Sequence, residues 1–206
     1  MNVGILGGTF DPIHRGHIVI AEKARKKFKL EKVIFIPAGQ PWLKTDHEIS
    51  TAPHRVEMVK RAIAGKKYFE ISNMEVDRTG PSYSVDTVEE LYRQLGGGTA
   101  IYFLVGWDSL AELPQWHEPS RLIKICKLVA VTRTGVIRPD LKTLEAYVPG
   151  VTGSVMWLDI PPIDISSSDI RERVAKGLTI DGLVPKQVEG YIKENRLYLG
   201  LKQERN

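Results

Sequence analysis

Residues 3–28 read VGILGGTFDPIHRGHIVIAEKARKKF. The stretch opens on an apolar run, VGIL, and breaks at the pair Gly7–Gly8. It resumes as a helical pattern with apolar residues at 18, 21, 24 and 28. An apolar run without alternation is the mark of a strand covered on both faces, as in a parallel sheet. A strand, a glycine turn and an amphipathic helix in that order form the first part of a βαβ unit.

The rest of the chain repeats the theme. Further β-rich runs are KVIFIPA (32–38), FEISNMEV (69–76), AIYFLVG (100–106), KLVAVTR (127–133) and SVMWLDI (154–160). Between them APHRVEMVKRAI sets apolar residues at 52, 56, 59 and 63, and SVDTVEELYRQLGGG runs from a capping Ser84 to glycines suited to a C-cap. After the sixth strand, SSSDIRERVAKG and PKQVEGYIKENRLY read as two helices, with Ser166 to Ser168 as N-cap candidates and Pro185 as a helix start. The alternation predicts an α/β fold: a Rossmann-like, open, mainly parallel sheet with helices on both faces and a helical C-terminal part over about 166–206. No linker or repeat interrupts it, so residues 1–206 are expected to form a single domain. Ligands of such sheets bind at the carboxyl ends of the strands.

Bulk properties narrow the function. Hydrophobic residues make up 42% and charged residues 26% of the 206, which is ordinary globular composition. Twenty-nine Lys and Arg against 25 Asp and Glu leave +4, a balance that suits an anionic substrate. The densest basic cluster, KARKKFKLEK (23–32), has the pattern of a solvated helix face, so no nucleic-acid partner is expected. The single cysteine, Cys126, sits in the apolar run LIKICKLVAV and is expected to be a buried small hydrophobe. No apolar run reaches the ~18 residues of a membrane span and no signal-peptide pattern opens the chain. A cytoplasmic protein without a membrane partner is expected, and a homo-oligomer is left open.

The turn after the first strand holds two glycines, a hydroxyl, a carboxylate and histidines at 14 and 17. It matches neither the dinucleotide fingerprint G-x-G-x-x-G nor a Walker loop. The histidines fall at a helix start, where unpaired N–H groups and the helix dipole favour anions. Phosphate binding is therefore the favoured reading, with the imidazoles as donors. A metal site on His14, His17 and Asp11 is a weaker reading, because catalytic zinc motifs space their histidines by four and no third ligand is evident. A capped turn with surface histidines also stays open.

GTFDPIHRGH (8–17) resembles the G-T-F-D-P-x-H-x-G-H signature of the nucleotidyltransferase superfamily, and ISSSDIR (165–171) resembles its C-terminal I-S-S-T-x-I-R motif. Within that superfamily the chain is similar to the bacterial nicotinate-nucleotide adenylyltransferases. RTGPSYSVDT (78–87) resembles their R-x-G-x-S-Y-T-x-D-T, and GWDSLAELPQWH (106–117) their G-x-D-x-x-x-x-L-x-x-W-h. The resemblance implies transfer of AMP from ATP to nicotinate mononucleotide, giving nicotinate adenine dinucleotide and pyrophosphate.

It also implies roles. His14, His17 and Arg171 would be catalytic, holding triphosphate oxygens. Gly7, Gly8, Thr9, Phe10, Gly106, Arg133, Ser167 and Ser168 would complete the ATP site. Asp11, Lys44, Ser82, Tyr83, Ser84, Asp108 and Trp116 would serve nicotinate mononucleotide, with Trp116 stacked on the pyridine ring. Asp11 could orient the loop or position a metal. Mg²⁺ would arrive with ATP and need no protein cage. The chain departs from the pattern at Ser168 and Ser84, each in place of threonine, at Trp107, where a small residue is usual, and in residues 40–47, which lack the form P-P-H-K. The rival acceptors are nicotinamide mononucleotide or another phosphate compound of the same superfamily. A rival of another class is a nucleotide-binding sensor without catalysis.

Overall fold

The computed structural model describes residues 1–39, 49–132, 135–161 and 163–199. Six strands form one sheet: β1 (Asn2–Gly8), β2 (Lys32–Pro37), β3 (Phe69–Ile71), β4 (Ala100–Gly106), β5 (Lys127–Val131) and β6 (Val155–Leu158). Every pairing is parallel and the spatial order is β3-β2-β1-β4-β5-β6. The order reverses at β1, which pairs with β2 on one side (Gly7 beside Ile36) and β4 on the other (Leu6 beside Leu104). Diverging connections open a crevice at the carboxyl ends of β1 and β4, the place where open α/β sheets bind ligands.

Eight α-helices are described: α1 (Arg15–Lys27), α2 (Ala52–Ile63), α3 (Ser84–Leu95), α4 (Trp107–Ala111), α5 (Pro119–Ile125), α6 (Leu141–Tyr147), α7 (Ser167–Ala175) and α8 (Lys186–Glu194). Alternate residues of each strand feed opposite faces of the sheet. Val33, Phe35, Leu104 and Val129 pack with Ile18 of α1, Met58 of α2, Ile170 of α7 and Val188 of α8. Val3, Ile34, Ile101 and Phe103 pack with Val88 of α3, Leu110 of α4, Leu122 of α5 and Leu144 of α6. Burial on both sides is the reason these strands read as continuous apolar runs. Both C-terminal helices share the core of α1 and α2, so α7 and α8 lie against the first part of the chain.

The expected alternation is present, with corrections at the element ends. FEISNMEV is strand only over Phe69–Ile71. One further bond follows, Ser72 N–H to the Phe35 carbonyl, and then Asp77 N–H closes a turn on Asn73. Ser72 and Asn73 are turn formers, and they outweigh the apolar residues beyond them. The strands expected over 127–133 and 154–160 end at Val131 and Leu158. Ser84 is the first helical residue of α3, and the cap position belongs to extended Tyr83. Ser166 does cap α7, accepting the Asp169 N–H at 3.0 Å. The short helices α4, α5 and α6 carry too few turns for a periodic pattern to show. Cys126 is buried and its thiol is pushed up to about 12 by that burial, so it is no nucleophile. Among the described residues no helix is long and apolar enough to cross a membrane.

Candidate active site

The loop from Gly8 to His14 closes the carboxyl end of β1 and delivers the chain to α1. Phe10 takes a left-handed conformation (φ 53°), unusual for a side chain of its size, and its ring is buried. Gly8 makes room for that ring: a Cβ there would lie 3.1 Å from Phe10 Cε1. His14 is the N-cap of α1, and its N–H donates to His17 Nδ1 at 3.2 Å. That bond fixes the neutral tautomer of His17 with its proton on Nε2. The two imidazoles lie against each other with centroids 3.8 Å apart and planes tilted by 30°, with Phe10 edge-on to His17 at 5.1 Å. Gly16 permits this approach, since a Cβ there would sit 2.9 Å from His14 Nδ1.

The carbonyls of the same loop are taken by protein donors. Arg171 Nη1 donates to the Asp11 carbonyl at 2.8 Å, and Ser167 Oγ to the Pro12 carbonyl at 2.9 Å. The first turn of α7 is thereby docked onto the first loop, across some 155 residues of sequence. Arg171 also reaches Ser168 Oγ at 3.5 Å. A third donor was not anticipated: Arg55 of α2, 2% exposed, gives Nη1 to the Thr9 carbonyl at 2.9 Å. Its Nε donates to the Ser50 carbonyl at 3.0 Å and its Nη2 to the Gly39 carbonyl at 3.3 Å. Burial lowers the pKa of Arg55, opposed by the charge of Asp11. The signal for it was present: Arg55 stands three and four residues before Met58 and Val59, on the buried stripe of α2.

Asp11 is placed differently from the other motif residues. It is 2% exposed, and both carboxylate oxygens are engaged. Oδ1 accepts the Tyr198 hydroxyl at 2.7 Å and Oδ2 accepts the Ser50 N–H at 3.1 Å. Burial and the Asp11 charge raise the pKa of Tyr198, so its phenol stays protonated and remains a donor.

A second group gathers across the crevice, at the end of β4 and the start of α3. Phe103 joins the two sides: its ring would touch a Cβ on Gly7 at 3.5 Å, and Trp116 meets it edge-on at 6.1 Å. Tyr83 stacks on His117 at 4.2 Å, so SYSVDT and LPQWH meet in space. Gly106 leaves room for the Asp108 carboxylate: a Cβ there would lie 2.3 Å from Asp108 Oδ1 and would push that side chain aside. Trp116 Nε1 and Ser82 Oγ are buried with no hydrogen-bond partner among the described residues. Within RTGPSYSVDT, Arg78 donates to Thr87 Oγ1 (3.0 Å) and Glu90 (2.6 Å), and Thr87 donates to Glu75 (2.8 Å). Arg78 and Thr87 thus brace α3. Trp107 turns away toward β6, edge-on to Trp157 at 6.3 Å. Lys44 and Arg133 lie outside the described residues.

Two clusters on one crevice, one rich in donors and helix N-termini and one aromatic, suit a polyanion beside a flat ring. Among the described residues no three His, Cys, Asp or Glu come together to hold a metal. The chain's likeness to known proteins agrees with that layout. A model of the cytidylyltransferase-like family matches residues 5–173. The chain is 48% identical to a Dehalococcoides mccartyi protein described as "Probable nicotinate-nucleotide adenylyltransferase", over 96% of this chain and 97% of that one. A Thermomicrobium roseum protein of the same description is 44% identical, over 95% and 91%. The fold is similar to that of the Plasmodium falciparum nicotinic acid mononucleotide adenylyltransferase complexed with NaAD (TM-score 0.77, 19% identity, 96% and 97% covered). The chain belongs to the nicotinate-nucleotide adenylyltransferases, within the cytidylyltransferase-like family.

Proposed function

We propose that the chain transfers AMP from ATP to nicotinate mononucleotide, forming nicotinate adenine dinucleotide and pyrophosphate, as its relatives' names describe. The observation that carries the mechanism is the docking of α7 on the first loop, Arg171 to Asp11 and Ser167 to Pro12. It holds the first turn of α7 against the loop that leads to both histidines, which supports an anion site shared by the N-termini of α1 and α7.

The reaction asks for little proton transfer. A phosphomonoester's second pKa is about 6, so the acceptor phosphate is largely dianionic at neutral pH. One of its oxygens attacks the α-phosphorus of ATP, the new P–O bond forms, and the bond to the β-phosphate oxygen breaks as pyrophosphate leaves. Catalysis then consists of aligning two anions and stabilising spreading charge. His17 Nε2–H and the His14 ring donate to triphosphate oxygens, and Gly7, Gly8, Thr9 and Phe10 present backbone to the nucleotide, with Gly106 on its far side. The backbone N–H groups of Ser167 and Ser168, the Ser168 hydroxyl and the remaining N–H groups of Arg171 take the terminal phosphates at the N-terminus of α7, the Ser167 hydroxyl and Arg171 Nη1 being committed to the first loop. Mg²⁺ would accompany ATP as part of that substrate and would offset phosphate charge. Asp11 has its oxygens committed to Tyr198 and Ser50, so it anchors the loop, and through the loop the acceptor.

On the acceptor side Trp116 stacks on the pyridine ring, while Ser82, Tyr83 and Ser84 at the start of α3 face the nicotinate carboxylate. Asp108 accepts from a ribose hydroxyl. The unpartnered Trp116 Nε1 and Ser82 Oγ favour a ligand that accepts hydrogen bonds. That is in keeping with the acid, which offers two acceptor oxygens where the amide offers one. We read the chain as one domain and its location as cytoplasmic, in keeping with a lone thiol. The test is product analysis with ATP and each mononucleotide; absence of a dinucleotide from the nicotinate compound defeats the reading.

A further inference from the structure

We propose that Arg55 is a positioning residue for adenylyl transfer: it turns the Thr9 carbonyl away from the triphosphate and ties the ATP loop to the acceptor side of the crevice. The proposal rests on the adenylyltransferase reading above. A backbone carbonyl aimed at a polyphosphate would repel it, so a loop built for anions must send its oxygens elsewhere. Here the carbonyls of Thr9, Asp11 and Pro12 go to Arg55, Arg171 and Ser167 at 2.9, 2.8 and 2.9 Å. Two of these donors, Arg171 and Ser167, are in the sequence motifs of the site; Arg55 is in none. Its guanidinium also polarises the peptide that carries the Phe10 N–H, making that N–H a stronger donor.

The other contacts of Arg55 reach across the crevice. Its Nη2 holds the Gly39 carbonyl, and Gly39 presses so closely on the chain before α3 that a Cβ there would fall 2.0 Å from the Glu75 carbonyl and 3.1 Å from Ser82 Oγ. Ser50, whose carbonyl accepts from Arg55 Nε, gives its own N–H to Asp11. One buried side chain therefore spans the ATP loop, the end of β2 and the start of α2. The planar fork of arginine serves three acceptors in fixed directions, which a lysine ammonium does not reproduce. The charge is balanced inside the same cluster by Asp11.

The experiment compares wild type, Arg55→Lys and Arg55→Ala by circular dichroism, thermal melting and steady-state kinetics with ATP and nicotinate mononucleotide. The expected result is that at least one variant folds, that its KM for ATP rises and that its kcat falls about ten- to a hundredfold, the scale of a misplaced reacting group. Millimolar methylguanidinium should restore part of the turnover of Arg55→Ala and none of Arg55→Lys, whose side chain fills the space. Folded variants with wild-type kinetics overturn the proposal. Failure of both variants to fold also overturns it, because Arg55 is then a core residue without a separable role. A wild-type protein that forms no dinucleotide refutes the function itself, and leaves the variants distinguishable by their folding alone.

Discussion

Tyr198 donates its hydroxyl to Asp11 Oδ1 at 2.7 Å, linking residues 187 positions apart in a site where both are buried. The bond holds the carboxylate of the first loop inward and ties that loop to the turn that follows α8. Tyr198→Phe removes the donor and leaves a buried carboxylate oxygen without it, at a cost of about 1–3 kcal/mol. A drop in melting temperature of roughly 2–4 °C per kcal/mol is expected for a chain of this size. Chemical denaturation with an unchanged m-value would check that the folded state alone is affected.

In the proposed mechanism His17→Ala removes a donor to developing phosphate charge. Loss of one such donor typically costs about 10²–10³ in turnover. Dichroism and melting should remain close to wild type, because alanine keeps the backbone N–H of residue 17 that bonds the His14 carbonyl at the start of α1. Turnover retained within a fewfold would remove His17 from the machinery.

Gly16→Ala separates stability from activity. An alanine in α1 gains up to about 1 kcal/mol of helix propensity, yet its Cβ would press on His14 Nδ1 at 2.9 Å and on Ile163 Cγ2 at 3.2 Å. The melting temperature is expected to hold while turnover drops at least tenfold, as His14 shifts. Differential scanning calorimetry beside a pyrophosphate-release assay reads both quantities on one preparation.

Glu75 carries a pH signature. Burial raises its pKa, and the Thr87 hydrogen bond and Arg78 only partly oppose this. A carboxyl raised in the folded state binds its proton more tightly there, so its stabilising effect is full below the ordinary carboxylate pKa. That effect is lost as pH rises through the raised value. Glu75→Gln keeps an acceptor for Thr87 and never ionises. The variant should match wild type near pH 4 and exceed it in melting temperature at pH 7. A variant less stable than wild type at pH 7 would mean that Arg78 outweighs burial.

Trp116→Ala should raise KM for the mononucleotide well above its effect on KM for ATP, since Trp116 lies on the β4 side with Phe103. Equal changes in both constants would place the indole in the common scaffold.

Much of this was legible in the sequence, for a physical reason. Strands buried on both faces leave unbroken apolar runs, and β1, β2 and β4 were readable from them. FEISNMEV misled because Met74 and Val76 are apolar but follow the turn formers Ser72 and Asn73. The contact between the first loop and α7 was legible because its residues come in two dense motifs, and Ser167 and Arg171 do meet the first loop. Asp11 is grouped with the acceptor by the resemblance, which leaves open whether it orients the loop or positions a metal. Its partners, Tyr198 and Ser50, sit in segments with no pattern of their own. Arg55 was hidden as one cation in an amphipathic helix, although its place on the apolar stripe set it apart.

The central claim is most directly tested by incubating the purified protein with ATP, Mg²⁺ and either nicotinate or nicotinamide mononucleotide, and separating the dinucleotides by chromatography. The account predicts nicotinate adenine dinucleotide and one equivalent of pyrophosphate, with kcat/KM at least tenfold lower for the amide. No product from the nicotinate compound, or equal use of both acceptors, would contradict it.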